Sequence, residues 1–309
     1  MTGEERGCAA GAPDFGYYRR ESAAELMARL STGETLLAQG AMGTALLVQG
    51  ADIPPAYWNI AEPQAVEYLH RMYVVAGADV AVTNTFQASG PCLRRDRVFA
   101  SVREANDAAV RAARAAQPAY VLGSVGPCGI DYLKEDDPAF REARAAYREQ
   151  CHALLASGVD GVLLETFPSI RELVPALRGA LDVSDGMPVL VSFAVDGKGD
   201  LVGDGLNVEA AIVYAEKHGA DAVGANCCAL DEAQGLAERM LAVARTPVML
   251  RPSAGLPEHG EDGAPAWPDL SERFAAAASS WREAGVALVG SCCGTDARTT
   301  CAMRAALDE

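Results

Sequence analysis

Eight short apolar runs, each followed by an amphipathic stretch of helical period, constrain this chain more than any other feature of its sequence. The runs span residues 35–38, 79–83, 120–124, 160–165, 188–194, 221–226, 247–251 and 286–290. The stretches after them span 62–76, 102–116, 140–156, 169–181, 207–218, 231–244, 270–284 and 296–307. The runs are rich in Val, Leu and Ala with little alternation, as strands buried on both faces of a parallel sheet are. Glycines punctuate the helix ends, as in Ala76-Gly77 and His218-Gly219. Repeated eight times, the unit predicts an α/β chain folded as a single (β/α)8 TIM barrel. A doubly wound open sheet is the alternative that the same alternation permits; the count of eight and the missing dinucleotide fingerprint weigh against it. Residues 1–20 read as a flexible arm and 21–309 as the barrel domain, with a short helix over 23–30 closing its bottom.

A barrel of this kind places its chemistry at the C-terminal ends of the strands. The residues just after each run are therefore the informative ones. Two of these ends carry adjacent cysteines, Cys227-Cys228 after the sixth run and Cys292-Cys293 after the eighth. Neighbouring cysteines rarely bond to each other, because the ring they would close is strained. The chain has nine cysteines, an odd number that argues against a disulfide framework. Strands six and eight of a barrel are separated by one strand, so their loops can converge. Three thiolates brought together there, Cys227, Cys292 and Cys293, match a tetrahedral zinc site at the C-terminal face. Gly290 and Gly294 flank the second pair and are expected to let two consecutive cysteines turn inward. Cys228 is expected to point elsewhere, and Cys8, Cys92, Cys128, Cys151 and Cys301 to be ordinary small hydrophobes.

Composition excludes several functions. A formal charge of −16 and a pI of about 4.7 leave no positive stripe for nucleic acid and disfavour an anionic membrane surface. No apolar run approaches the roughly 18 residues of a membrane span. The first 20 residues lack the apolar core of a secretory signal. A cytoplasmic location is the resulting expectation.

The segments Gly224-Ala225-Asn226-Cys227 and Gly290-Ser291-Cys292-Cys293-Gly294-Thr295 resemble the two zinc motifs of the homocysteine S-methyltransferase family. Supporting matches are Gly40-Ala41-Met42-Gly43-Thr44, Thr83-Asn84-Thr85-Phe86, Gly123-Ser124-Val125-Gly126-Pro127, Glu165-Thr166 and Pro252-Ser253-Ala254-Gly255-Leu256-Pro257. The resemblance runs over about residues 35 to 305 and looks strongest to the homocysteine-binding module of cobalamin-dependent methionine synthase. It implies a methyltransferase in which zinc on the three cysteines activates the thiol of homocysteine for conversion to methionine. Glu165 is then expected to hold the substrate ammonium and the N–H groups of Gly40 and Met42 its carboxylate. Gln39, Thr83 and Ser124 would line the substrate site. The implied methyl donor is methylcobalamin on a separate corrinoid protein acting in trans, since the chain has no room for folate and cobalamin modules. The loop from Leu256 to Pro268 is a candidate part of the docking rim, or a plain surface loop.

Departures from the family pattern fall in the substrate shell. Gln39 stands where the family has an Asp that helps bind the ammonium, Val82 where an acidic residue is frequent, and Ser253 where Asn is common. An acid restored at position 39 is expected to tighten ammonium binding. Two other readings stay open from sequence. One is a demethylase that feeds a corrinoid or acts on a different thiol. The other is a non-catalytic zinc relic, with Cys228 as a fourth ligand.

Overall fold

In the computed structural model, residues 15–50, 53–259 and 265–309 are described. Eight parallel strands follow one another around a ring. They are β1 (Leu36–Leu37), β2 (Val80–Val82), β3 (Tyr120–Val125), β4 (Gly161–Phe167), β5 (Val189–Ala194), β6 (Ala222–Ala229), β7 (Val248–Ser253) and β8 (Leu288–Val289). Each pairs with the next from β2 to β8, and β8 pairs with β1. The ring closes through a parallel bridge between Ala38 and Val80, with the Gln39 N–H donating to the Val80 carbonyl at 2.9 Å. Closure rules out the open-sheet alternative.

The eight expected helices are present within a residue or two at each end. They run over Pro63–Val75, Val102–Ala115, Pro138–Ser157, Ile170–Leu181, Val208–Lys217, Ala233–Val243, Ser271–Ala284 and Ala297–Asp308. Ser101, Asp137, Ser169, Asn207 and Asp296 cap five of them by accepting first-turn N–H groups. Three short helices, Gly43–Gln49, Pro55–Ala61 and Gly90–Arg95, were not expected; each is too short to show an amphipathic period. The N-terminal helix runs over Phe15–Ser31, so it begins inside the expected arm; residues 1–14 of that arm lie outside the described residues.

Side-chain parity along the strands sorts the core into two. Leu36, Ala38, Val80, Val82, Tyr120, Leu122, Leu163, Leu190, Ala222, Met249 and Leu288 fill the barrel interior, and Leu26 and Leu30 of the N-terminal helix plug its lower end. Their alternates, such as Leu37, Ala81, Val121, Val162, Leu164, Val191, Val223, Leu250 and Val289, face the helices. The lower interior is apolar, and this decides what can stand above it. Two residues further along each strand the same parity points inward again, at the level where the apolar filling stops. Ser124 stands above Leu122, Glu165 above Leu163, Ser192 above Leu190 and Arg251 above Met249.

At the lower rim one device recurs before β2, β4 and β6. Asp79, Asp160 and Asp221 each precede an even strand and accept the N–H of Leu37, Val121 and Val189, at 2.8, 2.7 and 2.8 Å. These carboxylates fix the register of neighbouring strands where the ladder begins.

Candidate active site

The two cysteine-bearing strand ends are bent by different means. The pairing of β6 with β7 shifts register between Asn226 and Ala229, and Cys227 inside that bulge has φ 55°. A left-handed non-glycine residue stores strain of roughly 1 kcal/mol, which surrounding packing must hold. The bulge turns the Cys227 thiol up to the C-terminal face and Cys228 down into the core between sheet and helices. A matching irregularity lies between Leu164 and Phe167, where Thr166 has φ 63°.

At the second pair, Gly294 has φ 81° and closes the turn after Cys293. Its missing side chain also makes room, since a Cβ there would lie 2.2 Å from Cδ1 of Trp267. Gly290 acts otherwise than expected: it permits a close approach, with a Cβ falling 3.0 Å from the Ala38 carbonyl and 3.3 Å from Cγ of Arg251.

The outcome is a cluster. The Sγ atoms of Cys227, Cys292 and Cys293 lie within 4.8 Å of one another, and among the described residues they are the group able to hold a metal ion. Cys227 Sγ is 2.8 Å from Cys292 Sγ and 3.8 Å from Cys293 Sγ. Hydrogen bonds from the Cys227 and Cys293 thiols hold Cys292 well below the ordinary thiol range, Arg251 adds to this, and burial opposes it. Cys227, as the donor, is pushed up. Cys228 is 2% exposed and stands outside this group.

A cavity of 270 Å³ opens beside the thiols. Gln39, Gly40, Met42, Thr83, Ser124 and Glu165 all line it, together with Val82, Phe86, Thr166 and Arg251. The six residues expected from sequence thus share one cavity, but their hydrogen bonds differ in kind. Glu165 is 7% exposed; one oxygen accepts the Ser124 hydroxyl and the other accepts Arg251 Nη1 at 2.8 Å. Burial pushes the Glu165 carboxyl up, while Arg251 and Ser124 pull it back. Gln39 is held at both ends of its amide, Nε2 donating to the Val82 carbonyl at 3.0 Å and Oε1 facing His70 Nδ1 at 2.8 Å. The Thr83 hydroxyl accepts the Ser124 N–H at 3.0 Å and meets Thr85 Oγ1 at 2.6 Å, so it braces the wall. The N–H groups of Gly40 and Met42 have no partner among the described residues. Ser253 lies apart, bonding the Cys228 carbonyl at 3.2 Å.

Two residues at the centre were not singled out from the sequence. Arg251 is buried at 6% exposure. Asn226 is buried as well; its Nδ2 donates to Thr166 Oγ1 at 2.7 Å and lies 3.5 Å from Cys227 Sγ and 3.9 Å from Cys292 Sγ, and its Oδ1 accepts from Thr166 N and Ser192 Oγ. The signal for Arg251 was present, as a lone charge closing an otherwise apolar strand run. Asn226 stands inside the Gly224-Ala225-Asn226-Cys227 segment, which marked its neighbour Cys227 but gave the amide no role of its own.

A closed (β/α)8 barrel with three converging thiols beside a cavity at its C-terminal face defines a barrel enzyme with a cysteine centre. The family described as homocysteine S-methyltransferase matches residues 36–307, and this chain belongs to it. A methionine synthase from Mycobacterium leprae is 32% identical over 283 residues, covering 84% of this chain and 23% of its own length. The chain thus spans about a quarter of that relative. A homocysteine S-methyltransferase from Escherichia coli is 27% identical over 306 residues, covering 91% of this chain and 97% of its own. The crystal structure of the metallated homocysteine methyltransferase MmuM from Escherichia coli superposes with a TM-score of 0.74 at 24% identity, over 91% of this chain and 99% of that one. That likeness carries the fold.

Proposed function

We propose that this chain is a zinc-dependent methyltransferase that methylates the thiol of homocysteine to give methionine. The observation that carries the reading is the convergence of Cys227, Cys292 and Cys293 on a cavity also lined by Glu165 and by Gly40 and Met42, whose N–H groups have no partner among the described residues. The donor set suits zinc. A tetrahedral site with Zn–S near 2.3 Å has S···S edges of about 3.8 Å. The Cys227–Cys293 edge of 3.8 Å already has that length, and the Cys227–Cys292 edge of 2.8 Å would open by about 1 Å. Three protein ligands leave a fourth position for substrate, as in catalytic rather than structural zinc sites.

Zinc, when bound, supplies the deprotonation of a coordinated thiol, whose ordinary pKa near 8.5 makes it a poor nucleophile at neutral pH. Cys227, Cys292 and Cys293 would hold the ion as three thiolates, whose combined charge would exceed that of a dication. Glu165 accepts the substrate ammonium, held in place by Ser124 and Arg251. The Gly40 and Met42 N–H groups donate to the carboxylate as a small backbone nest. Met42, Val82 and Phe86 exclude water around the sulfur. No side chain has to remove a proton during the transfer itself, which agrees with the absence of His among the residues lining the cavity.

For the methyl donor, the similarity to methionine synthase supports a methylated corrinoid. The same transfer run backwards would demethylate a substrate and feed the corrinoid. No helix among the described residues is long and apolar enough to cross a membrane. Calorimetric titration of homocysteine into the zinc-loaded protein tests the core of the reading, with expected 1:1 binding that disappears on chelation. Assay of methyl transfer in both directions with a methylcorrinoid protein tests the donor. Absence of homocysteine binding to zinc-loaded protein would overturn the proposal.

A further inference from the structure

We propose that Arg251 determines which thiols the cavity accepts: by pairing with Glu165 it makes the head-group wall electrically neutral, so that the site takes a thiol whose head group carries both an ammonium and a carboxylate and disfavours one carrying an ammonium alone. The inference rests on the thiol-binding reading above and deepens it.

Among the described residues that line the cavity, Glu165 is the carboxylate and Arg251 the cation. They sit 2.8 Å apart with side-chain exposures of 9% and 8%, so water screens neither charge. Apart from the cysteine cluster at the far end of the ligand, the remaining polar lining is neutral. Gln39 has its acceptor oxygen facing His70 and supplies no charge, and Val82 supplies an aliphatic side chain. A lone buried carboxylate would favour any cation that entered. A carboxylate already bonded to a guanidinium does so much less, because the entering ammonium also meets the Arg251 charge. A zwitterionic head group escapes this penalty, since its carboxylate offsets Arg251 while its ammonium faces Glu165.

Arg251 is held for this task from both sides. Its backbone is in register with Asn226 on β6, and its Cγ runs past the open face of Gly290 on β8. Its Nε–H is buried with no hydrogen-bond partner among the described residues. A buried guanidinium N–H left unsatisfied costs free energy that a purely structural ion pair would be expected to recover.

The test is calorimetric binding to zinc-loaded protein of three thiols: homocysteine, its methyl ester (ammonium without carboxylate) and 4-mercaptobutyrate (carboxylate without ammonium). Wild type is expected to bind homocysteine at least about tenfold more tightly than either analogue, the scale of one charge-assisted hydrogen bond. In Arg251→Met the ester should gain on homocysteine by roughly tenfold and 4-mercaptobutyrate should fall further behind. Arg251→Lys should restore the wild-type order. Because Arg251→Met strands a buried carboxylate and can unfold the barrel, the charge-neutral double variant Glu165→Gln/Arg251→Met is measured in parallel, and its discrimination between the three should collapse. Unchanged affinity ratios among the three thiols in Arg251→Met, or wild-type ratios in the double variant, would show the pair to be structural and overturn this inference alone. Failure of wild type to bind any of the three overturns the thiol-binding reading as well.

Discussion

Gln39 Oε1 and His70 Nδ1 lie 2.8 Å apart in the wall beneath the substrate cavity, with both side chains sealed from solvent. The other end of the same amide donates to the Val82 carbonyl at 3.0 Å. Position 39 is therefore a donor as well as an acceptor, and this changes what an acid would do there. A carboxylate of the same length in Gln39→Glu would place an oxygen against the Val82 carbonyl, losing a bond and adding repulsion. We expect homocysteine affinity to fall by about tenfold, roughly 1.4 kcal/mol, despite the added negative charge. Tighter binding in the variant would mean that the amide turns to meet the substrate and that an acid suits this site.

His70 should make the fold acid-sensitive. Burial pushes its imidazole down to about 3, whereas the unfolded chain protonates it near the ordinary value of about 6.5. The folded value is the lower one, so the group contributes nothing while neutral in both states. It becomes a penalty as pH falls below about 6.5, growing by about 1.4 kcal/mol per unit until the folded imidazole also titrates. His70→Asn keeps a donor toward Gln39 and removes the titration. Between pH 6.5 and 5.0 wild type should lose about 2 kcal/mol more than the variant in urea unfolding. Parallel curves for the two proteins would argue that His70 is not held neutral.

Metal content separates the cysteines. Replacing Cys227, Cys292 or Cys293 by Ser should each abolish stoichiometric zinc. Replacing Cys151, buried in the core, or Cys228 by Ala should leave zinc unchanged at a stability cost of about 1–2 kcal/mol for the lost packing. Elemental analysis of the purified variants decides it, and zinc loss in Cys228→Ala would revive the four-thiolate alternative. Chelation should leave the far-ultraviolet circular dichroism unchanged, because the ligands stand above an apolar interior that is packed without them.

Gly294 should be the least replaceable glycine of the site. Gly294→Ala meets both a left-handed backbone, φ 81°, and the Trp267 ring at 2.2 Å. The expected cost exceeds about 1 kcal/mol, with weaker zinc binding in competition against a chromophoric chelator. Trp267→Ala in the same background removes the clash and should recover part of the loss, leaving the backbone strain. A wild-type Tm and zinc affinity in Gly294→Ala would show that the turn is slack.

Trp267 also shows what the loop after β7 does. It forms a small antiparallel ribbon, Glu258–His259 with Pro265–Ala266, and folds back so that the indole covers Gly294 and donates to the Gly255 carbonyl at 3.2 Å. The sequence marked this segment as a surface loop or part of a docking rim, without the ribbon or the indole contact.

The fold and the thiol cluster were legible in the sequence because they follow from local periodicity. Apolar runs and helical stretches alternate with no long-range information needed, eight of them close a ring, and the ring fixes which residues stand at the active face. Cys227, Cys292 and Cys293 could be paired across 65 residues of chain on that ground alone. What the sequence left undecided is where each polar side chain spends its hydrogen bonds. Glu165 reads as a free acid in sequence and becomes half of an ion pair only because β4 and β7 face each other across the barrel interior. Gln39 reads as a neutral substitute for an acid, yet its amide is held by a helix residue, His70, and by the next strand, at Val82. Periodicity says that a residue points inward; which partner it meets there depends on contacts across the ring, between segments that carry no mark of one another in the chain.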